Sequence, residues 1–330
     1  MPVVKRFLVG LGIAGLLALM VFLARDSVRQ VLSDWTGEED LETQLRGFGY
    51  LALAAIQPAH DTADFTPIKY ADVNPFGVNT FLEQEVEESK VRQTIQMIRD
   101  AGFHWIRQEF PWEDIEKPAK GQFWDVKFNH STWDKYDLLV NVAHEYGLEV
   151  IARIDHPPAW TRQDGRARGD FAPPDNYDDY GDFVATVVDR YRGKIRFYQL
   201  WNEPNVSPEW GEQDVSAPDY VRLLKIGYTR AKATDANAVI LSAGLAQTAD
   251  QRARAMSDLV FLQQMYDAGA RGYFDILGAQ DYGLYTGPGD RRVEFGRTNF
   301  SRPILVREIM VKNGDADKPI WAMEVGWNTA

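Results

Sequence analysis

The 330-residue chain contains no cysteine, which excludes disulfide bridges, cysteine-ligated zinc and a thiol nucleophile. Its five histidines show no spacing typical of metal ligands, so we predict neither a metal nor a cofactor. Acidic residues outnumber basic ones, and the net charge of −12 argues against nucleic acid as a partner. No glycine-rich phosphate loop follows the first apolar strand, which argues against a nucleotide-binding sheet.

Long apolar stretches are rare, and the longest lies at the N-terminus. Phe7 to Ala24 carries no charge and, as a helix, would span roughly 27 Å, enough for a bilayer core. We predict that residues 1–26 are an uncleaved transmembrane signal-anchor, with a cleaved signal peptide as the alternative. The protein would then be anchored to a membrane, with the rest of the chain outside the cytoplasm. Residues 27–72 are predicted to be a stalk or linker.

From residue 73 to 330 the chain alternates between short apolar runs and segments of helical periodicity. This alternation is typical of βαβ units, which form either a doubly wound sheet or an eight-stranded barrel. Polar residues at the ends of several strands favour the barrel. We therefore predict an α/β fold, a (β/α)8 TIM barrel without its eighth strand and preceded by the transmembrane helix. The predicted strands are 76–82, 104–110, 148–154, 195–201, 238–243, 273–279 and 319–325.

Two of these apolar runs present a glutamate where the strand ends. Glu203 follows the fourth run, and Glu324 lies in the seventh. All strand ends of a parallel barrel meet on one face, so the two carboxyl groups are predicted to face each other across a pocket. Two carboxylates in that arrangement are the reacting groups of a glycoside hydrolase. For either glutamate alone, a structural ion pair is the alternative.

The segment Trp201-Asn202-Glu203-Pro204-Asn205 resembles the acid/base motif of clan A glycoside hydrolases, whose glutamates close strands four and seven. The resemblance covers about residues 73 to 329. Within the clan, the chain is most similar to the family of β-xylosidases and α-L-iduronidases and to cellulase-like relatives. The resemblance implies a retaining mechanism with Glu203 as the acid/base and Glu324 as the nucleophile.

The same resemblance implies supporting roles for residues at other strand ends. Asn202 would hydrogen-bond the sugar 2-hydroxyl, Arg107 would keep the nucleophile ionised, and Tyr282 would hydrogen-bond it. A surface salt bridge is the alternative for Arg107. His156 and Trp327 are predicted to contact the substrate, with a plain loop histidine and a packing tryptophan as the alternatives.

Other residues near strand ends give weaker signals. Asp281, Asp290 and Glu294 are interpreted as solvated loop charges rather than as a calcium site. Three further tryptophans either line substrate subsites or pack in the core: Trp112, Trp160 and Trp210.

The sequence thus predicts a membrane-anchored retaining glycoside hydrolase that acts on an oligosaccharide, a polysaccharide or another glycoside. The alternative is a non-catalytic carbohydrate-binding or scaffold protein on a degenerate barrel. A metal-dependent barrel lyase is disfavoured because the sequence shows no cluster of metal ligands.

Overall fold

The computed structural model describes residues 25–56, 58–284 and 286–327. The predicted membrane span over residues 7–24 lies outside them, and none of the described helices is long and apolar enough to cross a membrane. The chain divides into two compact units. The larger unit comprises His60–Tyr282 and Pro303–Val325, and the smaller one the residues up to Ala59, Gly283–Arg302 and the residues from Gly326 onward.

The smaller unit contains two helical segments, residues 25–36 and α1 (Leu41–Ala54). The first turn of α1 is capped by Asp40, whose carboxylate accepts a hydrogen bond from the backbone N–H of Thr43. Both helical segments overlap the part of the chain for which the sequence predicts a stalk, and that prediction remains untested.

A buried ion network also belongs to the smaller unit. The carboxylate of Asp290 pairs with Arg292 and Arg297, and both arginines also pair with Glu38. Asp290 is 1% exposed, so its interpretation as a solvated charge is wrong. The two arginines supply the opposite charge that makes burial of this carboxylate possible.

The larger unit is built on parallel strands that alternate with helices. One parallel sheet contains, in chain order, β1 (Gly77–Thr80), β2 (Trp105–Pro111), β3 (Glu149–Asp155), β4 (Phe197–Leu200) and β5 (Val239–Ser242). A second ladder pairs β6 (Leu277–Leu284) with β7 (Ile320–Trp327). Two isolated parallel bridges, Leu241 to Ile276 and Leu245 to Ala279, connect the two ladders. The described residues contain no eighth strand of this series.

Amphipathic helices cover these strands. In α2, Val91, Ile95 and Ile98 recur at helical spacing and are buried, as the sequence predicts. Gly147 ends the third helix with a φ of 69°, a left-handed conformation that glycine adopts without steric cost. The helices of ten or more residues in this unit are α2 (Glu88–Asp100), α3 (Asp134–Glu145), α4 (Tyr177–Arg190), α5 (Ala217–Thr234), α6 (Asp258–Asp267) and α7 (Pro303–Lys312).

Six predicted strands agree with the structure to within two residues at each end, but the sixth does not. It is predicted at 273–279 and is found at Leu277–Leu284. The prediction assigns Tyr273 and Phe274 to the strand because they are apolar. In the structure they pack in the core ahead of the strand. The strand therefore extends further than predicted and includes Asp281, which is 6% exposed. The interpretation of Asp281 as a solvated loop charge is wrong for this reason.

Candidate active site

Glu203 lies in a tight turn directly after β4. Trp201 and Glu203 have φ angles of 77° and 40°, in the left-handed region that residues other than glycine rarely adopt. Two hydrogen bonds fix this turn: the backbone N–H of Glu203 donates to the carbonyl of Gly244 at 3.0 Å, and the indole of Trp201 donates to the carbonyl of Glu209 at 2.7 Å. The surrounding structure thus holds the carboxyl group of Glu203 at the strand end.

The surroundings of Glu203 favour its neutral form. Burial is the main cause, and the negative charges of Glu324 and Glu209 add to it, raising the pKa of Glu203 to about 7. A carboxyl group with such a pKa is protonated over most of the acidic and neutral range. Glu203 is therefore suited to act as a general acid.

The surroundings of Glu324 in β7 have the opposite effect. One carboxylate oxygen accepts a hydrogen bond from Nη1 of Arg107 at 3.0 Å, and the other accepts a short hydrogen bond from the hydroxyl of Tyr282. Burial alone would raise the pKa of Glu324, but the charge of Arg107 and the hydrogen bond from Tyr282 outweigh it and keep the pKa below its usual value. Glu324 is therefore held ionised.

Arg107 connects Glu324 to three other side chains. It lies in β2 and is 7% exposed, which rules out the alternative of a surface salt bridge. Its Nε donates to Gln199 at 2.7 Å, Nη1 donates to Asn79 at 2.9 Å, and Nη2 donates to Asn202 at 2.8 Å. The planar guanidinium thus fixes the relative positions of groups from several strands.

Asn202 is buried between charged groups. Its Oδ1 accepts hydrogen bonds from Arg107 and, at 3.4 Å, from Nε2 of Gln280. Its Nδ2 donates to Oε2 of Glu209, also at 3.4 Å. Glu324, Arg107 and Gln280 all act on the carboxyl group of Glu203. The structure therefore brings together, in one connected site, Glu203, Glu324, Arg107, Tyr282 and Asn202.

His156 belongs to an ionic network after β3 and is not a plain loop histidine. Its Nδ1 lies 2.5 Å from Oε1 of Glu109 and 3.1 Å from Oδ1 of Asp155. Burial opposes the charged imidazolium, but the hydrogen bonds and charges of the two carboxylates outweigh it and raise the pKa of His156 to about 10. The ring of Phe171 packs against the imidazole, with centroids 3.9 Å apart. Contact between His156 and the substrate remains a prediction.

Glu109, Asp155 and His156 also place three possible metal-ligand atoms within 4.8 Å of one another. Arg153 already pairs with both carboxylates, with Nη2 at 2.9 Å from Glu109 and Nε at 2.7 Å from Asp155. A protonated imidazole has no lone pair for a metal. We therefore interpret the group as a charge-balanced network rather than as a cation site. Ligand spacing along the sequence does not reveal it, because Glu109 and Asp155 lie on different strands.

The aromatic predictions have mixed outcomes. Trp112 and Trp210 are 0% and 1% exposed and pack in the core, while Trp160 is half-buried beside Trp112. Trp327, in the smaller unit, is 40% exposed and packs against Phe300 with ring centroids 5.2 Å apart. A Cβ atom at Gly283 would lie 1.6 Å from the Trp327 indole nitrogen, so this packing requires glycine there. A role for Trp327 in substrate binding remains a prediction.

Replacement of Tyr282 by phenylalanine is expected to move the acidic limb of the kcat/KM pH profile to higher pH. The change removes the hydroxyl that helps to keep the pKa of Glu324 low, so ionisation of this carboxyl group requires a higher pH. The pH profile measured with an aryl glycoside tests this, with Tyr228→Phe on α5 as the control. An acidic limb at the same pH in Tyr282→Phe would contradict the role given to the hydroxyl.

Comparisons with known proteins give the family and the fold. The sequence model of the cellulase family, glycosyl hydrolase family 5, matches residues 67–259, which is more than half of the chain and includes Glu203. No curated protein matches the chain.

Two similar solved structures are family 39 proteins. A family 39 glycoside hydrolase from Bacteroides cellulosilyticus WH2 has 21% identity and a TM-score of 0.57, over 83% of this chain and 51% of that one. A family 39 β-xylosidase from Caulobacter crescentus has 18% identity and a TM-score of 0.54, over 80% and 55%. The chain thus spans about half the length of these proteins, and the likeness supports the predicted (β/α)8 fold.

The family match also confirms the resemblance to the clan A glycoside hydrolases. The chain belongs to the cellulase family, glycosyl hydrolase family 5, of the clan A glycoside hydrolases.

Proposed function

We propose that the protein hydrolyses O-glycosidic bonds with retention of configuration at the anomeric carbon. One observation carries the proposal: the pKa values of two glutamates in one connected site are shifted in opposite directions. The pKa of Glu203 is raised to about 7, mainly by burial, whereas Arg107 and Tyr282 keep the pKa of Glu324 low. A pair of carboxyl groups with separated pKa values supplies the acid and the nucleophile that a retaining glycosidase needs.

In the first step, the carboxylate of Glu324 attacks the anomeric carbon. The bond from that carbon to the leaving oxygen breaks, and Glu203 gives its proton to this oxygen. Asn202 donates a hydrogen bond to the sugar 2-hydroxyl. The products are the free leaving group and a glycosyl ester of Glu324, while Glu203 is left as a carboxylate.

In the second step, the carboxylate of Glu203 removes a proton from water. The water oxygen attacks the anomeric carbon, and the carboxylate of Glu324 is released. The ester on Glu324 carries no charge, so one of the causes that raise the pKa of Glu203 is absent in the intermediate. The pKa of Glu203 is then lower, as a base requires, and it rises again when Glu324 is freed.

We propose an oligosaccharide, a polysaccharide or another glycoside as the substrate. A non-catalytic carbohydrate-binding role on the same barrel is the competing possibility. Anchoring to a membrane through residues 7–24, with the site outside the cytoplasm, is proposed from the sequence alone.

The test is a screen of the full chain against aryl glycosides of different sugars, followed by proton NMR of the first sugar released. We expect hydrolysis of at least one glycoside, with the initial product in the same anomeric configuration as the substrate. A 2-deoxy-2-fluoro analogue of that substrate should leave a covalent sugar on the peptide that contains Glu324. Inversion, or a label on another residue, would overturn the mechanism. Sugar binding without turnover of any glycoside would favour the non-catalytic alternative.

A further inference from the structure

A third carboxylate, that of the half-buried Glu209, lies close to the glutamate pair and has no part in the two steps above. It is on the loop after β4, six residues past Glu203. We propose that Glu209 is a positioning residue of this site, which holds the side-chain amide of Asn202 in the orientation that presents an N–H to the sugar. The inference rests on the proposed function, because the sugar contact belongs to that reaction.

The amide of Asn202 has two ends of similar size, so its orientation must be set by its neighbours. The oxygen end faces two donors, Nη2 of Arg107 at 2.8 Å and Nε2 of Gln280 at 3.4 Å. The nitrogen end faces one acceptor, Oε2 of Glu209 at 3.4 Å. A reversed amide would place N–H groups against the guanidinium and an oxygen against the carboxylate. Charges of opposite sign at the two ends therefore select one orientation.

The selected orientation leaves one donor for a ligand. The Nδ2 atom of Asn202 carries two hydrogens, and Glu209 accepts one of them. The other has no acceptor among the side chains and backbone groups that the structure describes. An N–H held in a fixed direction without a protein acceptor can hydrogen-bond a sugar hydroxyl at little entropic cost.

Glu209 is itself held in place. Its backbone carbonyl accepts the indole hydrogen bond of Trp201, which fixes the loop beside the acid. Its carboxylate also interacts with charged groups at the end of β3: burial and the charge of Asp155 raise its pKa, while Arg153 and His156 lower it. Arg153 keeps two closer partners, Glu109 and Asp155, when Glu209 is neutralised. The fold is therefore expected to survive replacement of Glu209.

Kinetics of Glu209→Ala provide the first test. With the best aryl glycoside of the screen, we expect kcat to fall about tenfold to 100-fold with KM nearly unchanged, since misorientation of a group near the reacting centre acts on the transition state. Asn202→Ala should show a similar loss, and the double variant should lose no more than either single variant. On the 2-deoxy form of the same glycoside, which lacks the hydroxyl that Asn202 would contact, the rate of Glu209→Ala should approach the rate of the wild type on that substrate.

Losses that add up in the double variant, or an equal loss on the 2-deoxy substrate, would overturn the positioning role. Glu212→Ala is the matched control. This exposed glutamate lies three residues further along the same loop, and among the described residues its carboxylate pairs only with Arg254, at 3.4 Å. It should keep full activity on both substrates.

The pH profile of Glu209→Gln separates charge from shape. This variant keeps the side-chain volume but removes a negative charge that helps to raise the pKa of Glu203; Glu324, Arg107 and Gln280 still act on that carboxyl group. The basic limb of the kcat/KM profile should move to lower pH, whereas Glu212→Gln should leave it in place. A basic limb at the wild-type pH in Glu209→Gln would count against the inference.

A measurement without turnover keeps this inference separate from the proposed function. The side-chain amide hydrogens of Asn202 can be assigned by nitrogen-15 NMR through their loss in Asn202→Asp. In Glu209→Ala they should shift and exchange faster with solvent, and in Glu212→Ala they should not. A wild-type chain that hydrolyses no glycoside would refute the proposed function, whereas unchanged amide resonances in Glu209→Ala would refute the positioning role.

Discussion

Replacement of Glu324 by glutamine is expected to lower kcat by about 10⁴-fold or more, without unfolding the protein. Glutamine keeps the size of the side chain: its amide oxygen can accept the hydrogen bond from Arg107, and its N–H can donate to the hydroxyl of Tyr282. Its neutral amide, however, cannot form the glycosyl ester. The rate with the best aryl glycoside of the screen tests this. Glu212→Gln is the control. A rate close to that of the wild type would remove Glu324 from the role of nucleophile.

Glu203→Gln should lose activity in a way that depends on the leaving group. A dinitrophenolate leaves without protonation, so the first step should survive with a dinitrophenyl glycoside and the glycosyl-enzyme should accumulate. With a poorer leaving group such as an alkoxide, both steps should be slow. A similar loss for all leaving groups would contradict the acid role of Glu203.

Azide distinguishes the two glutamates by the configuration of the product. In Glu203→Ala, azide can replace water in the second step and should give a glycosyl azide with the configuration of the substrate. In Glu324→Ala, azide can occupy the space of the missing carboxylate and should give the opposite configuration. The reverse pattern would mean that the two roles are interchanged, and products of the same configuration from both variants would contradict one of the two roles.

Replacement of Asp281 by asparagine is expected to remove a large pH-dependent penalty on folding. The Oδ1 atom of Asp281 is buried without a hydrogen-bond partner among the described residues. Burial alone raises the pKa of Asp281 from 3.8 to about 7. The folded protein therefore favours the protonated form of this carboxyl group.

The sign and size of the effect follow from the protons bound in each state. Below pH 3.8 both states bind the proton, and Asp281 carries no penalty. Between pH 3.8 and about 7 only the folded state binds it, so the free energy of unfolding falls as pH rises. With 1.36 kcal/mol for each pKa unit, the loss reaches about 4 kcal/mol near pH 7 and then stays constant.

Urea unfolding of the wild type and Asp281→Asn across this pH range measures the penalty. The difference in free energy of unfolding should be constant at low pH and should shift in favour of the variant by about 4 kcal/mol at neutral pH. Asp100→Asn, an exposed position at the end of α2, is the control and should show no comparable change. A difference that does not vary with pH would show that Asp281 is not buried as an isolated acid.

Most strands and helices can be predicted because their residues follow simple periodicities. The helix at 177–190 is an example, because its buried apolar residues recur at helical spacing. The segment 253–268, which lies between two predicted strands, is also predicted to be helical. The helix begins only at Asp258, because residues 251–256 form a short antiparallel ladder instead. Such a local hairpin depends on pairing between residues rather than on periodicity.

The proximity of Glu203 and Glu324 can be predicted because the strand ends of a parallel barrel converge on one face. Glu109 and Glu209 cannot be found in this way. Glu109 lies inside a strand and contacts Arg153 and His156, which are distant in sequence. Glu209 lies in a loop that shows no recognisable motif, and its contact with Asn202 depends on how that loop folds. Asp281 is wrongly interpreted as a solvated loop charge because the strand is predicted to end at residue 279. The true position of the strand depends on the packing of the preceding aromatic residues.

The two glutamates belong to different ladders, since Glu203 follows β4 of the five-stranded sheet and Glu324 lies in β7. The hydrogen bond from Arg107 to Glu324 joins residues 217 positions apart, and that from Asn79 to the carbonyl of Met323 joins residues 244 positions apart. Contacts of such long sequence separation carry a large loop-closure entropy and depend on the rest of the fold for support. A partly folded chain that has formed only the five-stranded sheet therefore lacks the contact between Arg107 and Glu324. In the proposed mechanism hydrolysis requires β7 to be docked, so we expect the site to be inactive while the chain is still folding.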